Sequence, residues 1–329
     1  MTHHDIYDAV NDLLNGVCDS DTARAIETGG DSSSLWAQLE ASGFTDALVP
    51  EAHGGANLGL SDAFAIALAA GRHVLPLPWV HTLLLRGGLG HQGVAFERGP
   101  MAMAQSLQQN ASGWHALTPM GRDAQAVLLR GPEGWALWPT ASAQAHSMAL
   151  YGNIDVTWHW PQAPAEAVAV PDADWRALAA LGNAGLIAGA LERAFELSTQ
   201  YANERVQFGK PIAKLQVIQQ NLSVMAEHVF AARMAAQLGF HSASVWPLAA
   251  NAAVAKQRCS EAVAECAPIA HAVHGAMGFT AEYDLQRYTR RLHEWRLAHG
   301  SEQHWAQRLG QAFLADDASA LDWVRGMAA

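Results

Sequence analysis

One stretch of this 329-residue chain sets chemically capable side chains close together: Glu204-Arg205-Val206-Gln207-Phe208-Gly209-Lys210-Pro211-Ile212, followed by Gln216. A guanidinium, a carboxamide and an aromatic ring within four positions can grip an anion, add a polar contact and cover an apolar surface. The same residues also read as an ordinary helix stop. Gly209 is the flexible residue beyond a helix end, and Pro211 cannot continue a helix. The stretch is therefore expected to close one amphipathic helix and open another. Spacing alone favours the helix stop over the ligand-gripping corner.

Other sets with chemical potential are weaker. Gly88-Leu89-Gly90-His91-Gln92-Gly93 formally matches G-x-G-x-x-G. That motif needs a preceding strand, a following helix and an acid about 20 positions later. Here a helix precedes it and Gln108-Gln109-Asn110-Ala111-Ser112 holds no acid, so it reads as a glycine-rich loop. Among sixteen histidines, His271 and His274 share a helix face, and His293-Glu294…His299 misses the H-E-x-x-H spacing by two residues. No cysteine or carboxylate cluster completes either set, so no metal is expected. A Ser-His-Asp triad has no G-x-S-x-G elbow to rest on.

The elements that must position these residues fall into three zones. Residues 1–98 read as helices and turns: Leu35, Leu39 and Phe44 begin an apolar face, residues 49–55 form a turn cluster, Leu60 to Gly71 is an Ala-rich helix, and Trp79 to Leu85 a short apolar one. Residues 99–171 change character. Residues 127–130, 131–134 and 135–138 read as strand, turn, strand, and residues 154–160 alternate with period two. Residues 172–329 are helical and Ala-rich, with a buried stripe at Leu215, Ile218, Leu222, Met225 and Val229, and a small-residue face at Ala184, Gly185, Ala188 and Gly189. The fold class is mainly α with a small β domain, neither doubly wound nor a barrel.

Composition sets the outer bounds. Half the residues are hydrophobic, enough for a sizeable core, and the twelve tryptophans are expected in cores and interfaces. The formal charge of -11 argues against nucleic acid and anionic membranes as partners, while leaving room for an anion held by a few arginines. Three cysteines, two of them (Cys259 and Cys266) about two turns apart on one helix, fit a reduced cytoplasmic setting. No apolar run is long enough to span a bilayer, and no basic-then-apolar leader is seen.

Taken together, several segments resemble the acyl-CoA dehydrogenase family. Val49-Pro50-Glu51…Gly54-Gly55 is similar to its V-P-E-x-x-G-G turn, and Gly71-Arg72…Pro76…Pro78 to its G-R-x-x-x-P-x-P segment. The Arg205 corner is similar to R-x-x-F-G-x-x-I…Q, and Gly275 to Leu285 with Arg290-Arg291 to G-G-x-G-F-T-x-E-x-D-L…R-R. The resemblance implies an N-terminal helical domain, a middle β domain and a C-terminal four-helix bundle that oligomerises. It also implies that Arg205, Gln207, Phe208, Leu215 and Gly275 contact the FAD of a neighbouring subunit. Arg205 would fork onto the pyrophosphate and Phe208 pack near the adenosine.

The departures matter as much. Where the family carries its catalytic Glu in E-G-T-[ST], this chain has Ala298-His299-Gly300-Ser301; at the alternative position on the first bundle helix stands Ala179. The flavin-ring segment T-E-P-x-A-G-S-D has only Leu117 to Asp123 as its nearest counterpart, Ala272 replaces the usual Gln, and Ala276 the second Gly of the G-G pair. The pattern is similar to the short, base-lacking subunit of heteromeric α2β2 acyl-CoA dehydrogenases that act on steroid side-chain CoA thioesters. That implies a partner subunit carrying the catalytic Glu, an acyl-CoA substrate and electron-transfer flavoprotein as acceptor. The alternatives are a self-sufficient, monooxygenase-like flavoenzyme with His299 as base, or a purely structural homologue.

Overall fold

A computed structural model of the chain describes residues 2–147 and 150–327. The N-terminal helices start where caps are available. Helix α1 (His3–Val17) is opened by a capping box in which Thr2 and Asp5 satisfy each other's backbone N–H groups, and it buries Ile6, Val10 and Leu14 at helical spacing. Asp19 caps α2 (Ser20–Glu27), and α3 (Ser33–Ala41) buries Leu35 and Leu39. A 3₁₀ turn at Glu51–His53 closes on Gly54 in the left-handed region, which matches the turn cluster read from the sequence. Helices α4 (Leu60–Arg72) and α5 (Trp79–His91) follow, both buried along almost their whole length.

Helix α5 corrects one reading. Gly88 and Gly90 belong to its last turns, not to a glycine-rich loop. They are glycines because the helix is crowded: a Cβ on Gly87 would lie 2.6 Å from Leu48, one on Gly88 2.6 Å from Trp175, and one on Gly90 3.0 Å from Pro50. Close packing outweighs the low helix propensity of glycine here.

The β unit comprises β1 (Met101–Met103), β2 (Ser106–Asn110), β3 (Gly113–Thr118), β4 (Ala126–Gly131), β5 (Gly134–Pro139), β6 (Gln144–Ser147), β7 (Val156–Trp160) and β8 (Val168–Val170). They form two four-stranded sheets, ordered β1-β4-β5-β8 and β2-β3-β7-β6, antiparallel throughout except for the parallel pair β1–β4. One apolar cluster draws Val127, Leu129 and Trp138 from the first sheet and Ala116, Val156, Trp158 and Trp160 from the second. The alternation read over residues 154–160 holds throughout, with Ile154, Val156, Trp158 and Trp160 buried, while the paired strand begins at Val156; before it, Asp155 accepts from the Met120 N–H at 2.8 Å.

The C-terminal bundle contains α6 (Trp175–Glu204), a two-stranded ribbon of β9 (Val206–Gln207) and β10 (Lys210–Pro211), α7 (Gln216–Phe240), α8 (Ala249–His274), α9 (Leu285–Leu297), α10 (Glu302–Leu314) and α11 (Ala320–Met327). The small-residue face of α6 lets α4 approach almost to backbone contact. A Cβ on Gly185 would sit 2.6 Å from that of Ala67, and Gly189 and Gly71 face the Leu68 and Leu186 carbonyls with no room for a side chain. The stripe on α7 is fully buried only at Met225 and Val229. Leu215 precedes the helix, and Leu215, Ile218 and Leu222 are only partly covered, packed with Tyr201 around a satellite cluster of Ala202, Ile212 and Val273. No helix among the described residues is long and apolar enough to cross a membrane.

Candidate functional site

The Arg205 corner is built differently from a helix stop. Helix α6 ends at Glu204, with the Arg205 N–H donating to the Tyr201 carbonyl at 2.8 Å. The chain then folds into the β9–β10 ribbon, where Gln207 pairs with Lys210 and Val206 with Pro211. Phe208 (φ 53°) and Gly209 (φ 76°) occupy the two turn positions, as a type I′ hairpin requires. Gly209 therefore serves the hairpin and not the helix C-terminus. The Ile212 N–H donates to the Arg205 carbonyl at 2.9 Å and closes the unit.

This hairpin gathers four of the five residues singled out at the corner. Arg205, Gln207, Leu215 and Gly275 line one groove of 320 Å³, together with Tyr201 and His274. Phe208 does not line it; it projects from the hairpin tip with 87% of its surface exposed. The Arg205 side chain is exposed and makes no hydrogen bond or ion pair among the described residues. Gly275 ends α8 at φ 59°, ψ -141°, a conformation open to glycine, and nothing stands within 4 Å of where its Cβ would be. Ala272 and Ala276, the two departures, also line the groove and keep that wall low.

The sequence motifs give Tyr201 no role and weigh His274 only as a metal-ligand candidate beside His271. Their rings stack at 4.5 Å and floor the groove. His274 donates its Nδ1–H to the Ala270 carbonyl at 2.8 Å, and burial holds its pKa below the ordinary histidine value. His271 turns elsewhere, to Thr289 at 2.9 Å and against the Phe279 ring. The two histidines thus face different partners, and no group of three or more metal-ligating side chains occurs among the described residues.

His299 occupies a second centre. Between α9 and α10 the backbone turns through His299 (φ 57°) and Gly300 (φ 112°) before Ser301 caps α10. The turn is pinned on every side. The His299 N–H donates to Gln105 Oε1 (3.1 Å), Trp305 Nε1–H to the His299 carbonyl (3.2 Å), and Asn183 Nδ2–H to the Ala298 carbonyl (3.3 Å). Lys256, fully buried in α8, donates to the Arg296 and Gly300 carbonyls and to Ser260 Oγ at 2.7, 2.8 and 2.9 Å. Desolvation brings its pKa down to about 7.

The imidazole itself is 1% exposed, and neither ring nitrogen has a hydrogen-bond partner among the described residues. Across from it lies His81 of α5, ring centroids 5.6 Å apart, equally without partners and set against the Ala179 backbone. Burial lowers the pKa of His81 to about 4; burial first, then His81 and Lys256, pushes that of His299 well below 6.5. Both rings are therefore neutral near pH 7. Helix α5 is fixed in this position by Arg86, buried and bonded to Glu40 (2.6 Å), Asp46 (2.8 Å) and the Gly99 carbonyl (2.9 Å). His81, Asn183 and Lys256 carried no sequence signal, since each sits singly within an apolar run.

Beside Gln105 a 710 Å³ cleft opens between the β unit and α10, lined by Arg130, Trp135, Arg176, His304 and Arg308. No residue from Leu117 to Asp123 lines it. Thr118 is buried at the end of β3, and Asp123 accepts from Ser32 Oγ at 2.8 Å.

Residues 177–314 match the model of the acyl-CoA dehydrogenase C-terminal domain. Acyl-CoA dehydrogenase IpdE2 of Mycobacterium tuberculosis is 30% identical over 288 residues, covering 85% of each chain. Its namesake in Mycolicibacterium smegmatis is 28% identical, covering 83% of this chain and 84% of its own. Among solved structures, a chain of the ChsE4–ChsE5 complex from Mycobacterium tuberculosis superposes with a TM-score of 0.82 at 20% identity, over 96% of this chain and 98% of that one. A variant of the Tcur3481–Tcur3483 steroid ACAD gives 0.80 at 22% identity, over 96% and 99%. The chain belongs to the acyl-CoA dehydrogenase family.

Proposed function

We propose that this chain is the base-lacking subunit of a heteromeric, FAD-dependent acyl-CoA dehydrogenase that desaturates a steroid side-chain CoA thioester. Its partner is a second acyl-CoA dehydrogenase subunit carrying the catalytic Glu, in an α2β2 assembly of the cytoplasm, with electron-transfer flavoprotein as the acceptor. The observation that carries this reading is a contrast within one chain. The Arg205 groove is open and its cation unpaired among the described residues, whereas the His299 centre is closed by His81.

The groove fits a dinucleotide pyrophosphate on its own terms. An unpaired guanidinium supplies a charge-assisted fork, and Gly275 leaves open space for backbone approach. Arg205 would hold the pyrophosphate, Gln207 add a polar contact, Leu215 and the hairpin-tip Phe208 give apolar cover to the adenosine, and Gly275 admit the nucleotide. Bound FAD supplies the hydride acceptor for α,β-dehydrogenation. The proton must leave to a carboxylate, and this chain offers none at residue 299 or 179. A neutral, sealed His299 is no substitute, because a general base must reach the proton it removes. The solved ChsE4–ChsE5 complex and the Tcur3481–Tcur3483 steroid ACAD support the two-chain reading and the substrate class.

The test is to purify the chain with and without its partner acyl-CoA dehydrogenase. Activity and stoichiometric flavin only in the complex are expected. A yellow, active preparation of this chain alone would sink the proposal.

A further inference from the structure

Reactive amines are distributed unevenly in this chain. Its basic residues are seventeen arginines and only three lysines, Lys210, Lys214 and Lys256. Lys256 is fully buried, its ammonium held by three oxygens and sealed from solvent. Lys210 and Lys214 are exposed, and neither ammonium has a hydrogen bond or ion pair among the described residues. Glu204, the carboxylate nearest in sequence, accepts from Gln200 at 2.8 Å.

Both exposed lysines thus belong to the segment that builds the Arg205 groove. Lys210 stands directly opposite Gln207 in the β9–β10 ribbon. Directly opposed residues of an antiparallel pair share one face, with Cβ atoms about 5 Å apart. Gln207 lines the groove, so Lys210 adds a second cation to the groove side of the ribbon. Lys214 ends the 3₁₀ turn Ile212–Lys214, immediately before the groove residue Leu215. In a chain of net charge -11, this local excess of positive charge favours an anionic ligand. The lysines differ from Arg205 in one chemical respect: a guanidinium keeps its charge, whereas acylation of a lysine amine removes it.

We propose that Lys210 is an acylation site for acyl-CoA thioesters, and that its modification loosens the grip of this corner on the dinucleotide. The inference rests on the reading of the groove as an FAD half-site. The Lys210 ammonium first gives one proton to water. The amine nitrogen then attacks the thioester carbonyl carbon, the C–S bond breaks, and a second proton passes to the departing CoA thiolate. An amide forms without any oxidation or reduction, and the side chain goes from one positive charge to none. A surplus of acyl-CoA then lowers the flavin loading of chains not yet assembled.

The test uses the full chain carrying Lys214→Arg, which leaves Lys210 as its single exposed lysine. The chain is incubated with acetyl-CoA at pH 8.5, mapped by peptide mass spectrometry, assembled with its partner subunit and titrated with FAD. Acetylation of Lys210 is expected, with FAD affinity weakened about three- to fivefold, as loss of one exposed charge contact implies. Lys210→Gln should reproduce the weakening without reagent. The double variant Lys210→Arg with Lys214→Arg, treated alike, should bind FAD as tightly as before treatment. An unmodified Lys210, an acetylated chain with undiminished FAD affinity, or an equal loss in the double variant overturns the proposal. Arg205→Ala separates the two readings. If it sheds FAD while acetylated Lys210 does not, the acylation proposal alone fails; if it too retains FAD fully, the half-site reading fails with it.

Discussion

His81 and His299 face each other at 5.6 Å, 218 positions apart in the chain, with four ring nitrogens that meet no hydrogen-bond partner among the described residues. The pair closes the space next to Ala179 and residue 299, the two positions at which the family resemblance locates a base. Its neutrality has a measurable cost. A histidine whose folded pKa lies below the unfolded value contributes stability that is complete above the unfolded pKa and is lost as pH falls toward the folded one. For His81 that window runs from 6.5 down to about 4. Stability should therefore drop on acidification from pH 7 to pH 4, by on the order of 3 kcal/mol from His81 alone. His81→Leu should make the Tm-versus-pH curve shallower over this range, leaving the contributions of His73 and of His299, whose pKa values burial also lowers. An unchanged curve in His81→Leu would contradict the neutral, buried pair.

Lys256 holds the loop that carries His299. Lys256→Met removes the donor to three acceptors at once and strands the Arg296 and Gly300 carbonyls in the interior. A loss of about 2–4 kcal/mol in urea unfolding is expected, together with faster amide hydrogen exchange at His299 and Gly300. A change below about 0.5 kcal/mol would mean that water replaces the ammonium without penalty.

Two glycines should fail for different reasons. Gly189→Ala forces a methyl group into the Leu68 carbonyl and should separate α4 from α6, costing about 1–3 kcal/mol while sparing the distant groove. Gly275→Ala meets no neighbour but must hold φ at +59°, a strain of about 1–3 kcal/mol in the wall of the groove itself. Calorimetry and flavin content, measured on both variants in the assembled complex, separate them: only Gly275→Ala should lower flavin retention.

Arg86 anchors the helix that covers His299. Arg86→Met leaves Glu40 and Asp46 facing an uncharged side chain, and a loss of about 3–5 kcal/mol is expected. The double variant Arg86→Met with Glu40→Gln should recover part of it, which a double-mutant cycle reads directly.

How far the sequence reaches is clear from particular residues. The fold class is legible because its signals are local: period-two alternation in β7, the apolar stripe leading into α7, and the small face of α6 that meets α4. In the sequence Gly209 reads as a helix end, yet it completes a hairpin turn, because one Gly serves either conformation and only the preceding Phe208 at positive φ distinguishes them. The α5 glycines read as a loop because the side chains that crowd them, Leu48 and Trp175, come from remote segments. The contact of His81 with His299 and the Lys256 staple rest on tertiary neighbours, and a lone buried polar residue in an Ala-rich or apolar run leaves no periodic trace. Four groove residues (Arg205, Gln207, Leu215 and Gly275) and the hairpin-tip Phe208 are marked by likeness to a family pattern, and the Tyr201–His274 floor lies outside that pattern.

The most direct measurement is the flavin content of the complex co-purified with its partner chain, for the wild type and for Arg205→Ala. One FAD per pair of unlike chains is expected in the wild type. In Arg205→Ala the assembly should stay intact by sedimentation while FAD retention falls at least tenfold, as loss of a charge-assisted fork implies. One FAD on every chain, or full FAD retention in Arg205→Ala, would contradict the claim that this chain completes its partner's site.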